Sequence, residues 1–219
     1  MAEGPRSPVA RIRIAGGAGI VRQLRVVRRP RGRTRLTSAV DVTHGGQGPG
    51  SSTVSCTSGG YSRPVSNVLV TGMSGTGKSS ALRLLAARGH RTVDTDSDEW
   101  SYWVTLPEGS SDWIWREDKM GDLLRDPVGG SLFVAGCKTN QGRFYGGFDH
   151  IVLLSAPVGV LLARVATRTD NPYGSSTADR EMIRRHVEEV EPRLRASATI
   201  EIDATAPLED VVHQLELLG

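Results

Sequence analysis

The chain has 219 residues, with 27 basic and 24 acidic side chains and a net charge of +3 at pH 7. This length accommodates one α/β domain with its own core but not two large ones. No run of about 18 apolar residues occurs, so we expect no membrane-spanning helix. The two cysteines, Cys56 and Cys137, show neither a disulfide framework nor a zinc-ligand spacing, so we expect a cytoplasmic protein.

The charge is unevenly distributed. Residues 1–66 contain eleven arginines and two acidic residues, a net charge of +9, whereas residues 67–219 carry a net charge of −6. The first segment is rich in Arg, Gly and Ser and has few apolar residues, so it cannot bury enough surface to fold alone. We therefore predict a disordered basic extension over residues 1–65 and a folded domain over residues 66–219.

Four interpretations of the basic extension are open. It is a nucleic-acid-binding arm, an organelle transit peptide, a regulatory tail, or a non-functional extension that begins at an upstream start codon. Aromatic side chains do not alternate with its arginines as they would in a segment that binds single strands. The composition therefore disfavours a nucleic-acid partner.

From residue 66 onward, short apolar runs alternate with amphipathic segments of helical period. We predict five strands, over residues 68–71, 91–94, 131–135, 150–155 and 199–203. We predict five helices, over residues 78–88, 111–124, 158–167, 178–195 and 208–218. This alternation predicts a three-layer α/β/α domain with a mainly parallel five-stranded sheet and helices on both faces.

Residues 72–79 read G-M-S-G-T-G-K-S and match the phosphate-binding pattern G-x-x-x-x-G-K-[ST] at every fixed position. Between a strand and a helix, such glycines let backbone N–H groups surround a phosphate, and the helix N-terminus adds positive potential. The Lys78 ammonium would reach the outer phosphates, and the Ser79 hydroxyl would bind Mg²⁺. A base-reading N-K-x-D motif is missing, which favours ATP over GTP. The predicted ATP-binding residues are Gly72, Ser74, Gly75, Thr76, Gly77, Lys78, Ser79 and Ser80.

Two carboxylates, Asp94 and Asp96, end the second predicted strand at a spacing that places both side chains on one side. Ligands of open α/β sheets bind at this carboxyl edge. We predict that Asp94 holds Mg²⁺ through water and that Asp96 orients or deprotonates an acceptor hydroxyl. The alternative is a solvated acidic helix N-terminus with Asp96 or Ser97 as its cap.

Aromatic and polar residues farther along the chain are candidate acceptor contacts. All four tryptophans lie between residues 100 and 115, where they either stack on a flat or apolar ligand or pack in the core. Arg116 is a candidate contact for an anionic group of the acceptor. Gln141 follows the third predicted strand and is a candidate acceptor contact at the ligand edge.

The phosphate loop followed by Asp94-Thr95-Asp96 resembles the P-loop small-molecule kinases, especially the shikimate kinase and nucleoside monophosphate kinase group. Residues 151–157 and 161–173 resemble the strand and the helix that lead into the lid of these enzymes. The resemblance implies an AAA-type ATP-binding protein that uses Mg²⁺ and transfers the γ-phosphate to a small-molecule acceptor. It also implies that Arg164 and Arg168, one helical turn apart, close over the phosphate from a short lid at residues 170–176.

The chain departs from shikimate kinases in two places. Residues 135–142 replace the triple glycine that meets shikimate, and Val190 stands where an arginine is expected before Pro192. The G-x-P-R motif of adenylate kinases is missing as well. The sequence therefore predicts another member of the kinase superfamily rather than either enzyme.

Two rival functions are open. One is an NTPase that hydrolyses without an organic acceptor, although the run Leu132–Ala135 lacks the terminal acidic residue typical of motor ATPases. The other is a nucleotide-dependent protein whose basic extension binds nucleic acid.

Overall fold

The computed structural model describes residues 9–12, 24–27, 65–126, 130–168 and 173–219. Among these residues, no helix is long and apolar enough to cross a membrane. Most of the basic extension and residues 170–172 of the predicted lid lie outside the described residues. The extension contributes two short strands, and the division of the chain near residue 66 stays a prediction.

The elements have the following bounds. The strands are β1 Val9–Ile12, β2 Leu24–Val27, β3 Asn67–Thr71, β4 Arg91–Asp94, β5 Ser101–Thr105, β6 Ser111–Trp115, β7 Leu132–Ala135, β8 His150–Ser155 and β9 Ile200–Asp203. The helices are α1 Lys78–Ala87, α2 Glu117–Arg125, α3 Val158–Thr167, α4 Thr177–Glu189, α5 Glu191–Ser197 and α6 Leu208–Glu216, and a 3₁₀ helix covers Thr139–Gly147.

The main sheet has the strand order β1-β2-β9-β8-β3-β7-β4. The five strands from β9 to β4 are parallel, which confirms the predicted parallel sheet. Strand β2 pairs antiparallel with β9, and β1 pairs antiparallel with β2. Strand β3 is the middle one of the five parallel strands, so the phosphate loop leaves this part of the sheet at the middle of its carboxyl edge, where ligands of such folds bind.

Alternate residues of the central strand face opposite layers, as the pleat of a strand requires. Val68 and Val70 pack with buried residues of α1 and α6, whereas Leu69 packs with buried residues of α2. Helix α3 contributes Leu161 to a third cluster. Helices therefore cover both faces of the sheet, in the three layers that the sequence predicts.

The helix predicted over residues 111–124 is wrong in its first part. Residues 111–115 form β6, which pairs antiparallel with β5, and only Glu117–Arg125 is helical. Residues 101–105 and 111–115 are rich in aromatic and β-branched side chains and enclose a Pro- and Gly-containing turn, which is a hairpin pattern. Cross-strand pairing of Trp103 with Trp113 overrides the helical interpretation.

The helix predicted over residues 178–195 is two helices, α4 and α5. Pro192 lies in the first turn of α5. Because proline has no backbone N–H, it fits the first turn of a helix but interrupts a continuous one.

Leu85 lies fully buried between α1 and the sheet, while the preceding Leu84 is only partly buried against the same cluster. We expect Leu85→Ala to lower the free energy of unfolding by about 2–5 kcal/mol, because it removes packed methyl groups and leaves a cavity. The matched Leu84→Ala change should cost about 1 kcal/mol. Urea denaturation of both variants measures the difference, and equal losses would contradict the assigned packing of α1.

Candidate active site

The phosphate loop packs tightly against neighbouring backbone. A Cβ atom on Gly72 would lie 2.3 Å from the carbonyl oxygen of Leu154, and the φ of Gly72 is +147°. A Cβ atom on Gly75 would lie 2.8 Å from the carbonyl oxygen of Leu161, and the φ of Gly75 is +87°. Both positions therefore require glycine, for space and for backbone conformation.

The loop is closed from inside by Thr76, whose buried hydroxyl donates to the carbonyl oxygen of Met73 at 2.9 Å. Gly77 precedes α1 in a left-handed conformation and provides no side-chain cap. The positive N-terminal end of α1 therefore meets the cavity that Gly77, Lys78 and Ser79 line. A helix start of this kind attracts an anion such as phosphate.

The Lys78 ammonium is buried against its own loop. Its Nζ atom donates to the carbonyl oxygens of Gly72 at 2.8 Å and Met73 at 3.2 Å. Burial lowers the pKa of Lys78, and the nearby Cys137, Asp96 and Asp94 oppose that effect. The loop thus holds a desolvated ammonium beside the cavity, and phosphate oxygens are well suited to pair with it.

A cavity of about 400 Å³ opens over the phosphate loop. It brings together ten of the fourteen predicted site residues: Ser74, Gly75, Thr76, Gly77, Lys78, Ser79, Ser80, Asp96, Arg164 and Arg168. Gly72, which packs against the Leu154 carbonyl oxygen, is not part of the cavity wall. Asp94, Arg116 and Gln141 lie outside the cavity wall.

Arg168 connects the end of α3 to the phosphate loop. Its Nη2 atom lies 3.5 Å from the Ser74 hydroxyl oxygen and also donates to the carbonyl oxygen of Tyr173. Arg164 lies one turn earlier on α3 and lines the same cavity. The two guanidinium groups add positive charge opposite the helix start, as phosphate binding requires.

The two predicted carboxylates lie at the carboxyl end of β4, where the Oδ1 atom of Asp94 accepts the backbone N–H of Asp96 at 3.1 Å. Asp96 reaches the cavity, and its Oδ1 atom accepts from the Lys138 ammonium at 2.7 Å. The next element is the strand β5, so the alternative interpretation of Asp96 or Ser97 as a helix cap is wrong.

Arg116 and Gln141 are engaged elsewhere. Arg116 donates to the carbonyl oxygen of Asp98 at 3.1 Å, and its guanidinium carbon lies 5.1 Å from the Tyr102 ring centroid. Gln141 is buried, and its amide bonds to the Tyr145 hydroxyl at 2.9 Å and the Lys138 N–H at 3.3 Å. Gln141 therefore holds the loop after β7, while its proposed contact with an acceptor stays a prediction.

Sequence reasoning missed part of the cavity wall. Arg83 lines it from α1, and its Nη2 atom donates to the Ser80 hydroxyl at 3.2 Å. The helical spacing of Ser80 and Arg83 is a signal that could have revealed this contact. An apolar wall comes from the segment after β9 and from α6, and it consists of Ala204, Ala206, Leu208 and Val211. Only the tertiary structure brings that wall to the phosphate loop.

The lowered pKa of Lys78 predicts a pH dependence of stability. In the unfolded chain this lysine titrates near 10.5, whereas the folded state loses the proton at a lower pH. The unfolded state therefore binds more protons just below pH 10.5, so the free energy of unfolding rises as the pH approaches 10.5 from below. Lys78→Met removes this contribution. The wild type should therefore gain stability relative to the variant as the pH rises.

Urea denaturation from about pH 7.5 to about pH 10 measures this difference. Both proteins carry Cys137→Ala, since burial raises the pKa of that thiol above its value of 9.0 in the unfolded chain, which would add a second pH dependence of stability in this window. A difference that does not change with pH would contradict the desolvated environment of Lys78.

Comparisons with known proteins agree with this architecture. Among curated protein sequences, none matches this chain. The shikimate kinase from Acinetobacter baumannii, solved in complex with shikimate, is similar with a TM-score of 0.50 and 18% identity, over 70% of this chain and 92% of that one. The shikimate kinase from Bacteroides thetaiotaomicron has a TM-score of 0.51 and 16% identity, over 71% of this chain and 98% of that one.

At such low identities, the likeness concerns the fold, a parallel sheet flanked by helices as in P-loop small-molecule kinases. The family model described as "AAA domain" matches residues 68–190, which is more than half of the chain. The match begins in β3 and includes the phosphate loop, both carboxylates and the two cavity arginines. The chain belongs to this AAA domain family.

Proposed function

We propose that this protein is an ATP-dependent phosphotransferase that acts on the hydroxyl group of a small molecule. One observation carries the proposal: a phosphate loop with a buried lysine and a half-exposed carboxylate, Asp96, face the same cavity. A carboxylate that lines the cavity together with the phosphate loop can serve as a base for an acceptor hydroxyl. Small-molecule acceptors are also consistent with the similar shikimate kinase that was solved with shikimate bound.

The phosphate side of the cavity supports ATP as the donor. Lys78 and the start of α1 would bind the β- and γ-phosphates. Arg164 and Arg168 would bind phosphate oxygens from the opposite wall and stabilise charge that develops during transfer. The apolar wall that contains Ala204, Ala206 and Leu208 would receive the base.

The residues present also fit Mg²⁺. Ser79 provides a hydroxyl oxygen in the cavity, and Asp94 provides a carboxylate near enough to influence the pKa of Lys78. Oxygen ligands of this kind suit a hard cation. Bound Mg²⁺ would supply charge neutralisation on the phosphate oxygens.

Asp96 is the proposed general base. Its carboxylate would accept the proton of the acceptor hydroxyl while the hydroxyl oxygen bonds to the γ-phosphorus and the bond to the ADP oxygen breaks. Asp96 keeps one oxygen on Lys138, so the other oxygen can face the acceptor. The bond between Asp96 and Lys138 orients the carboxylate for this role.

The test is ADP formation by the full chain with ATP and Mg²⁺, without acceptor and then with a panel of nucleosides, nucleoside monophosphates, sugar acids and shikimate. We expect one compound class to stimulate turnover. Asp96→Asn should lower the stimulated rate by about 10²- to 10⁴-fold while ATP still binds, because it removes the base but not the phosphate site. Lys78→Ala should weaken both ATP binding and turnover.

The exposed neighbour Asp98 offers the matched control, since Asp98→Asn removes a similar charge two residues away from Asp96 and outside the cavity wall. An equal loss of the stimulated rate in the Asp98 variant would show that Asp96 is not the general base. ATP turnover that no acceptor stimulates would indicate an NTPase that needs no acceptor rather than a kinase.

A further inference from the structure

The β5–β6 hairpin carries a stacked pair of tryptophans, of which Trp103 is exposed and Trp113 is partly buried. Trp103 and Trp113 are cross-strand partners whose rings stack with centroids 6.0 Å apart and planes 23° apart. Trp103 leaves 67% of its surface exposed. A large, exposed aromatic surface held rigid by a second ring is typical of a binding site rather than of packing.

Lys138 connects this pair to Asp96. Its Nζ atom lies 3.6 Å from the Trp113 ring centroid and 2.7 Å from Asp96 Oδ1. The Lys138 side chain is only 7% exposed, whereas that of Asp96 is 48% exposed. An ammonium has three N–H donors, one more than these two partners use. An acceptor oxygen beside Asp96 would therefore meet a desolvated cation that is already in place.

The indole of Trp113 provides a second signal. Its Nε1 atom is buried, and no hydrogen-bond acceptor reaches it among the described residues. Leaving a buried donor unpaired costs free energy. Trp113 therefore retains an unused donor on the same ring that Lys138 contacts.

We propose that the acceptor site is formed by Asp96, Lys138, Trp113 and Trp103, and that it takes a hydroxyl compound with a planar ring. This inference rests on the proposed phosphotransferase function and names its substrate class. The acceptor hydroxyl lies at Asp96, an oxygen-bearing substituent accepts from Lys138, and the flat ring lies against the exposed ring of Trp103, since Lys138 and Trp103 already contact the Trp113 ring. A saturated ring contacts an aromatic face only through its C–H groups, whereas a planar ring contacts it over its whole face, so we expect the site to favour planar acceptors.

The structure also explains why the pair is held in place. The Trp113 ring contacts Lys138, and the neighbouring Asp112 accepts a hydrogen bond from the Thr139 hydroxyl, so the hairpin is tied to the loop after β7. The Asn140 side chain binds both backbone polar groups of Trp115, at 3.0 Å each. Because these contacts fix the tryptophan pair in the folded protein, the hairpin does not have to become ordered each time an acceptor ring binds.

The experiment compares planar and saturated acceptors of otherwise equal chemistry. ADP formation is measured with para-(hydroxymethyl)benzoate and its cyclohexane counterpart, and with nucleosides, quinate and gluconate. We expect the highest acceptor kcat/KM from a compound with a planar ring. In Trp103→Ala, the KM for that compound should rise by about tenfold to a hundredfold, since stacking on the ring is lost.

Three further variants separate stacking from folding. Trp103→Phe keeps a flat face and should raise the KM by less than about threefold, whereas Trp103→Leu keeps apolar volume without a flat face and should resemble the alanine variant. Val104→Ala alters the adjacent residue, which projects from the opposite side of the strand, and should leave the acceptor KM unchanged. Circular dichroism confirms that each variant is folded.

The outcomes are distinct. The highest kcat/KM with a saturated or open-chain acceptor would support the kinase function but overturn the proposed site for a planar ring. A Trp103→Ala variant with an unchanged acceptor KM does the same. If Trp103→Ala changes only the sedimentation mass, the exposed ring serves self-association and the inference fails. Stimulation by no compound at all, with ATP still bound, overturns the phosphotransferase itself.

Discussion

The contact between the phosphate loop and the neighbouring backbone is the constraint on which this site depends. Gly72 and Gly75 lie so near the carbonyl oxygens of Leu154 and Leu161 that no side chain fits at either position. Strand β8 and helix α3 therefore define where the loop can lie, and the loop defines where α1 begins. Helix α3 ends next to Arg168, so the same contact also sets the position of the two arginines that line the cavity.

The charge of the cavity lining differs in sign from the net charge of the folded domain. Residues 67–219 carry a net charge of −6, yet Lys78, Arg83, Arg164 and Arg168 line one cavity. Basic groups meet there because the loop, α1 and α3 all reach the carboxyl edge of the sheet. Burial of Lys78 lowers its pKa, which means that the folded chain holds an ammonium at a cost in free energy. Binding of phosphate would offset that cost, because the folded chain already holds the ammonium desolvated and in position to pair with a phosphate oxygen.

Trp115 joins the β5–β6 hairpin to the main sheet. Its indole N–H donates to the Thr95 hydroxyl at 2.7 Å, and that hydroxyl donates to the carbonyl oxygen of Ala135 at 2.8 Å. A Cβ atom on Gly136 would lie 2.1 Å from the same hydroxyl oxygen. The segment after β7 thus anchors the β5–β6 hairpin, and its Lys138 reaches the Asp96 carboxylate.

The sequence by itself determined the parallel sheet, the phosphate loop and the carboxylate pair, because strand periodicity and the loop pattern depend on neighbouring residues in the chain. It did not determine the hairpin, since the pairing of Trp103 with Trp113 is a contact between two strands that the helical interpretation of residues 111–124 leaves out. Only the tertiary structure decided that Asp96 meets Lys138, that Gln141 is buried, and that Ala204 and Leu208 complete the cavity. These residues lie far apart in sequence, and their contacts arise because parallel strands bring their carboxyl ends to one edge.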